Sequence, residues 1–185
     1  MLAGAVTAAL FGLVWAESAA AAVSGPAPAA IRAVAVAAAL VIVLGSARLW
    51  RSAAAATTPG SWARPMFSTP RYAAIVALQV LAFGGGNALL AAIGGRDYVV
   101  AWVAAVIGLH FVAFGRLFWP RFYWLGAALG TASAAGATVG LAGGGTDPIV
   151  ATTALIAAAS LLIAGGWTVA SAAATSGSHN ISPSS

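Results

Sequence analysis

Glu17, Asn87, Asp97, His110 and Asp147 stand out in a chain that otherwise offers few groups able to do chemistry. Glu17 lies about 15 residues into an apolar run that opens at Leu2. A charged side chain near the centre of a bilayer costs at least about 2.5–3.5 kcal/mol, so such groups face a bundle interior or an aqueous cavity. Glu17 therefore reads as a proton donor, a general acid or a cation ligand. The competing reading is an interfacial residue, paired with Arg96 or solvated by headgroups. His110 sits deeper, in the stretch Asp97–Gly126, and shares a helical face with Trp102, Val106, Ala113 and Leu117. It suits a proton relay or a hydrogen bond to a ligand. As a satisfied core residue it would instead give its N–H to Asn87, Gln79 or a hydroxyl.

Asn87 follows Gln79 by eight residues, which places both on nearly one face. Buried amides in membrane helices commonly bond across to a neighbouring helix. With Trp15, Phe83 and Trp102 as aromatic walls, an acid in such a cavity could protonate an olefin or epoxide. The rings would then stabilise the resulting cation. Metal-independent isoprenoid cyclisation is the analogy. On this reading Glu17 and His110 are catalytic, and Trp15, Asn87, Gln79, Trp102 and Asp97 contact a lipophilic substrate. Two alternatives stand beside it: a small proton- or ion-coupled transporter or channel using Glu17, Asn87 and His110 as a path, and a scaffold without a site.

Metal and cofactor chemistry find no support in the spacing. The second histidine, His179, lies in the polar tail, and no His/Glu pair has ligand spacing. A haem held by His110 alone has no further residue to argue for it. There is no phosphate-binding glycine–lysine loop, no His-Glu-x-x-His and no Asp-rich metal–diphosphate motif. No cysteine is present, so disulfide and thiolate chemistry are excluded.

The elements that must position these groups follow from composition. The 185 residues are 62% hydrophobic and 6% charged, with mean hydropathy +0.98, whereas soluble domains are about 25% charged. Bilayer is the fitting solvent, and a span takes roughly 20 apolar residues. Apolar runs predict six helices near 2–23, 30–49, 72–94, 97–118, 121–143 and 148–173. The fold class expected is an all-α six-helix transmembrane bundle forming one domain over 1–174, with a disordered polar tail over 175–185. The first run carries no Lys or Arg ahead of it and is broken by Trp15 and Glu17, which argues for a retained helix over a cleaved signal. Residues 51–71 read as a polar loop. Asp97 and Asp147 are expected to cap helices four and six, the latter with Pro148 at the first helical position.

Charge orients the bundle. Arg48, Arg51, Arg64, Arg71, Arg116 and Arg121 flank the links after helices two and four, against Arg32 and Arg96 at the other end. The positive-inside rule then places both termini in the cytoplasm, with Trp50, Trp119, Tyr123 and Trp124 as an interfacial belt. It also accounts for the net charge of +5 without a nucleic-acid partner. Ala47-Arg48-Leu49-Trp50-Arg51 echoes Gly115-Arg116-Leu117-Phe118, a hint of duplicated helical hairpins. In helix five, Gly126, Gly130, Ser133, Ala137, Gly140 and Gly144 fall near one face, which suits close packing at the centre of the bundle or a contact between two copies.

Gly108-Leu109-His110-Phe111, followed by Arg116-Leu117-Phe118, Pro120 and Tyr123, resembles the signature of a family of small, uncharacterised bacterial inner-membrane proteins. The match spans about 30 residues, and Val112-Ala113-Phe114-Gly115 departs from it. The resemblance implies a multi-pass protein of the bacterial plasma membrane, with His110 and Arg116 acting as one unit. It implies no activity.

Overall fold

The computed structural model describes residues 2–56 and 69–178. They form α1 (Leu2–Ala21), α2 (Ala27–Ala56), α3 (Pro70–Ala92), a 3-10 turn at Arg96–Tyr98, α4 (Val99–Leu117), α5 (Phe122–Leu141) and α6 (Thr146–Ser178). All six α-helices are long and apolar enough to cross a membrane, and there is no strand among the described residues. Short links fold α1 back on α2, α3 on α4 and α5 on α6. The α1–α2, α3–α4 and α5–α6 turns each contain a glycine with positive φ, at Gly25, Gly94 and Gly143. Only glycine adopts that conformation without a steric penalty, so these residues close the three hairpins.

The organising helix is α6, not helix five, which the sequence suggests for the centre of the bundle. It packs against α1, α2, α4 and α5, while among the described residues α3 packs along only α4 and the 3-10 turn. The reason is side-chain size. The core is built largely from alanine, including Ala9, Ala19, Ala104, Ala132, Ala154 and Ala157, so the helices that approach most closely are those with alanine on several faces. In α5 the buried residues are Gly126, Leu129, Ala132 and Gly136. Of the small-residue face expected there, Gly126 meets the backbone of Gly108 in α4 and Gly140 lies against the Tyr98 ring. Gly130, by contrast, faces open space.

Helix ends differ from expectation for local reasons. Pro28 is accommodated in the first turn of α2, where its missing N–H has no partner to lose. Alanines 53–56 carry that helix past Arg51. Thr69, not a residue of the helix body, caps α3: its hydroxyl accepts from the Tyr72 N–H at 3.2 Å, with Pro70 behind it. Arg64 and the rest of 57–68 lie outside the described residues. So do His179 and the remainder of the tail, although α6 runs on to Ser178, past Thr175.

Candidate functional site

Glu17 stands near the end of α1 and Arg32 near the start of α2, across the Gly25 turn. The Arg32 guanidinium donates to both carboxylate oxygens, Nη2 to Oε1 at 2.6 Å and Nε to Oε2 at 2.8 Å. Both side chains are exposed, 60% for Glu17 and 47% for Arg32. The interfacial reading of Glu17 is the one the geometry favours, with Arg32 as partner where the sequence suggested Arg96. The signal was available: a turn short enough to bring residue 32 opposite residue 17. Trp15, two residues away, points elsewhere; it is 7% exposed and packs in the core with Ala104 and Leu129. Glu17 and Trp15 therefore do not share a cavity.

His110 lies on α4, and the backbones of α1 and α4 do not run alongside each other, the two helices sharing only the core around Trp15 and Ala104. The proposed catalytic pair is thus split between helices with α6 and α5 between them, and Glu17 cannot pass a proton directly to His110. What surrounds His110 is aromatic: Phe114 at 4.1 Å between ring centroids and Phe111 at 5.8 Å. Phe114 in turn stacks on Tyr72 of α3 at 5.5 Å and meets Phe118 and Phe122. The Nδ1 of His110 is buried without a hydrogen-bond partner. Neither Asn87 nor Gln79 satisfies it.

The α3–α4 seam gathers four of the residues singled out in the sequence. Trp102 donates its indole N–H to the carbonyl of Ala82 at 3.1 Å and fills the notch left by Gly86, where any Cβ would collide with the ring. The Gly84-Gly85-Gly86 run therefore serves as a landing site for an indole. Asn87 follows that notch directly, and its Oδ1 is also buried without a partner. His110 lies eight residues beyond Trp102 on α4, about 12 Å along the axis at 1.5 Å per residue. Gln79, partly buried on the same helix as Asn87, falls between these levels. Asn87, Trp102, Gln79 and His110 thus form a row along one seam, not a single cluster. In an apolar surrounding an unpaired polar atom is costly, so the two orphaned atoms mark places where a hydrogen-bond partner is wanted.

Asp97 does not cap α4. Its carboxylate accepts a hydrogen bond from the Thr146 hydroxyl and ties the α3–α4 turn to the start of α6; the α4 N-cap, Tyr98, makes no side-chain capping bond. Asp147 falls in the first turn of α6, where its charge favours the helix N-terminus without capping it. No group of three or more His, Cys, Asp or Glu among the described residues could hold a metal ion.

Two open apolar grooves mark the surface. One, about 420 Å³, runs between α4 and α5 along Gly108, Val112, Gly126, Gly130 and Ser133. The other, about 330 Å³, lies between α2 and α6 with Ala16 as its floor. Neither is lined by Glu17, Asn87 or His110. No family model matches this chain, and no curated protein or solved structure does either.

Proposed function

We propose that this is a multi-pass membrane protein that binds a lipophilic small molecule at the α3–α4 seam. The supporting observation is the pair of buried, unpartnered polar atoms, Asn87 Oδ1 and His110 Nδ1, on the seam where an indole is seated on a glycine notch. Buried polar atoms without partners call for a ligand with a hydrogen-bonding group, such as a hydroxyl- or N–H-bearing lipophile lying along the seam. The seam is also the part of the bundle best able to open. No residue of α3 is buried, and among the described residues α4 is the only α-helix packed along it. Elements with few buried contacts open at the lowest free energy.

The role assigned here is binding, with His110 and Asn87 as hydrogen-bonding groups and Trp102 and Phe114 as walls. Acid catalysis through Glu17 forms no part of it, because Glu17 is exposed and engaged with Arg32, on a helix whose backbone does not run alongside α4. A conduction path is disfavoured by the packing of Phe114, Phe118 and Phe122, which closes the seam beyond His110. The arginine bias orients both termini toward the cytoplasm of a bacterial cell. The open α4–α5 groove offers a contact for a second copy. The test of the binding role is whether a lipophilic molecule survives gentle detergent extraction and is lost when these groups are removed.

A further inference from the structure

Two contacts fix how α3 lies along α4. The Gly86 notch takes the Trp102 indole, and the Tyr72 ring stacks on Phe114 at 5.5 Å. From the first contact to the second the numbering falls on α3 and rises on α4, so the two helices are antiparallel. Counted from either contact, His110 lies level with residues 76 to 78 of α3. That is about 2–5 Å along the axis from Gln79, at 1.5 Å per residue. Side chains on a helix lean toward its N-terminus. Gln79 therefore leans toward the Tyr72 end and His110 toward the Trp102 end, which closes the gap from both sides. The two side chains serve one level of the seam.

Asn87 marks a second level. It stands eight residues from Gln79 on the same helix, about 12 Å along the axis, and leans the same way. Between the two levels no polar side chain intervenes, neither in Val80 to Gly86 of α3 nor in Val103 to Leu109 of α4. Aromatic surface lies there instead: the partly buried Phe83, and the Trp102 indole with its N–H committed to the Ala82 carbonyl. Asn87 Oδ1 and His110 Nδ1 are buried without hydrogen bonds, and the Gln79 side chain makes none among the described residues. The seam is polar at two levels and apolar between them.

We propose that the seam takes an elongated lipophile with a hydroxyl at each end, one set between Gln79 and His110 and the other at Asn87. A hydroxyl both donates and accepts, so it suits an amide, and an imidazole in either tautomer. A lipophile with a single polar end would leave one level of the seam unpaired, which is costly in an apolar surrounding. The inference rests on ligand binding at the seam and adds the length of the ligand and its two polar ends.

The test uses linear α,ω-diols of graded length and the matching 1-alkanols, titrated into delipidated protein in detergent and read by thermal unfolding. Stabilisation by the diols should pass through a maximum at the chain whose extended oxygens stand about 12 Å apart. The matching 1-alkanol should bind about two- to tenfold more weakly, the worth of one hydrogen bond. Asn87→Leu should erase that difference. A second readout does not depend on stability. With His179→Gln, His110 is left as the one imidazole of the chain, and its ring nitrogen-15 NMR signals should move when the diol binds. Asn87→Leu should keep that shift, and Gln79→Leu should reduce it. Stabilisation that rises with chain length without a maximum, or is equal for diol and alkanol, would overturn the two-ended ligand but not binding at the seam. A bound diol that leaves the His110 signals unmoved would overturn the placement between Gln79 and His110. No stabilisation by any diol would overturn the inference as well, whereas binding at the seam is judged separately, by the mass retained on gentle extraction.

Discussion

Trp102 and Gly86 form a knob and notch between α4 and α3, fixed by the indole hydrogen bond to Ala82. A methyl group at Gly86 would occupy the space of the indole nitrogen, so Gly86→Ala must push the ring out or the helices apart. Overpacking of this kind costs about 1–3 kcal/mol. The expected outcome is a lower unfolding temperature in detergent, partly restored in the Gly86→Ala/Trp102→Leu double variant. Full additivity of the two substitutions would contradict the contact.

Thr153 and Gly136 set the spacing of α6 and α5. Thr153 is fully buried, and its hydroxyl oxygen has no conventional partner because it lies against the Gly136 backbone. Weak Cα–H···O contacts recur at such close helix crossings. Gly136→Ala should destabilise by about 1–3 kcal/mol through overpacking. Gly130→Ala, in open space six residues earlier, should be neutral or stabilise by up to about 1 kcal/mol from helix propensity. Unfolding midpoints of the two variants decide the matter; similar losses would mean that the packing of α5 is wrongly assigned.

The contrast between those glycines shows what the sequence does and does not carry. Six spans were legible because about 20 apolar residues between breakers have few other readings in a 6%-charged chain. The faces of α5 were not legible. Gly, Ala and Ser recur so often that several stripes look equally small, and only the positions of α4 and α6 select Gly126, Leu129, Ala132 and Gly136. The same shortage of distinctive side chains hid the central role of α6. Of the candidate site, Asn87, Gln79, Trp102 and His110 fall on one seam, whereas Glu17 and Trp15 were grouped with them on depth alone. Depth follows from position in the sequence, but rotation about the helix axis requires knowing the neighbours.

The Glu17–Arg32 pair is exposed and local to one hairpin. Exchanging the charges, Glu17→Arg with Arg32→Glu, should keep the protein folded and monodisperse, while each single replacement by the like charge should reduce yield through repulsion across the turn. Size-exclusion profiles after detergent extraction report the result. A double exchange as damaging as the singles would show that another group depends on this orientation.

Orientation is open to direct chemistry because the chain has no cysteine. A single cysteine at Gly145, beside the α5–α6 turn, should react with a membrane-impermeant maleimide added to intact cells. One at Pro120, in the α4–α5 turn, should react only after the cells are opened. The reverse pattern would invert the topology inferred from the arginines.

The most direct measurement is native mass spectrometry of gently extracted protein, comparing the wild type with His110→Phe, Asn87→Ala and Glu17→Gln. His110→Phe removes the polar atoms while keeping a ring beside Phe114, so a loss of binding would not merely report a collapsed core. The expected result is a lipophilic mass retained by the wild type and by Glu17→Gln, and lost or strongly reduced in the other two. A bare protein in all four samples, or a bound mass indifferent to His110 and Asn87, would contradict a ligand site at the α3–α4 seam.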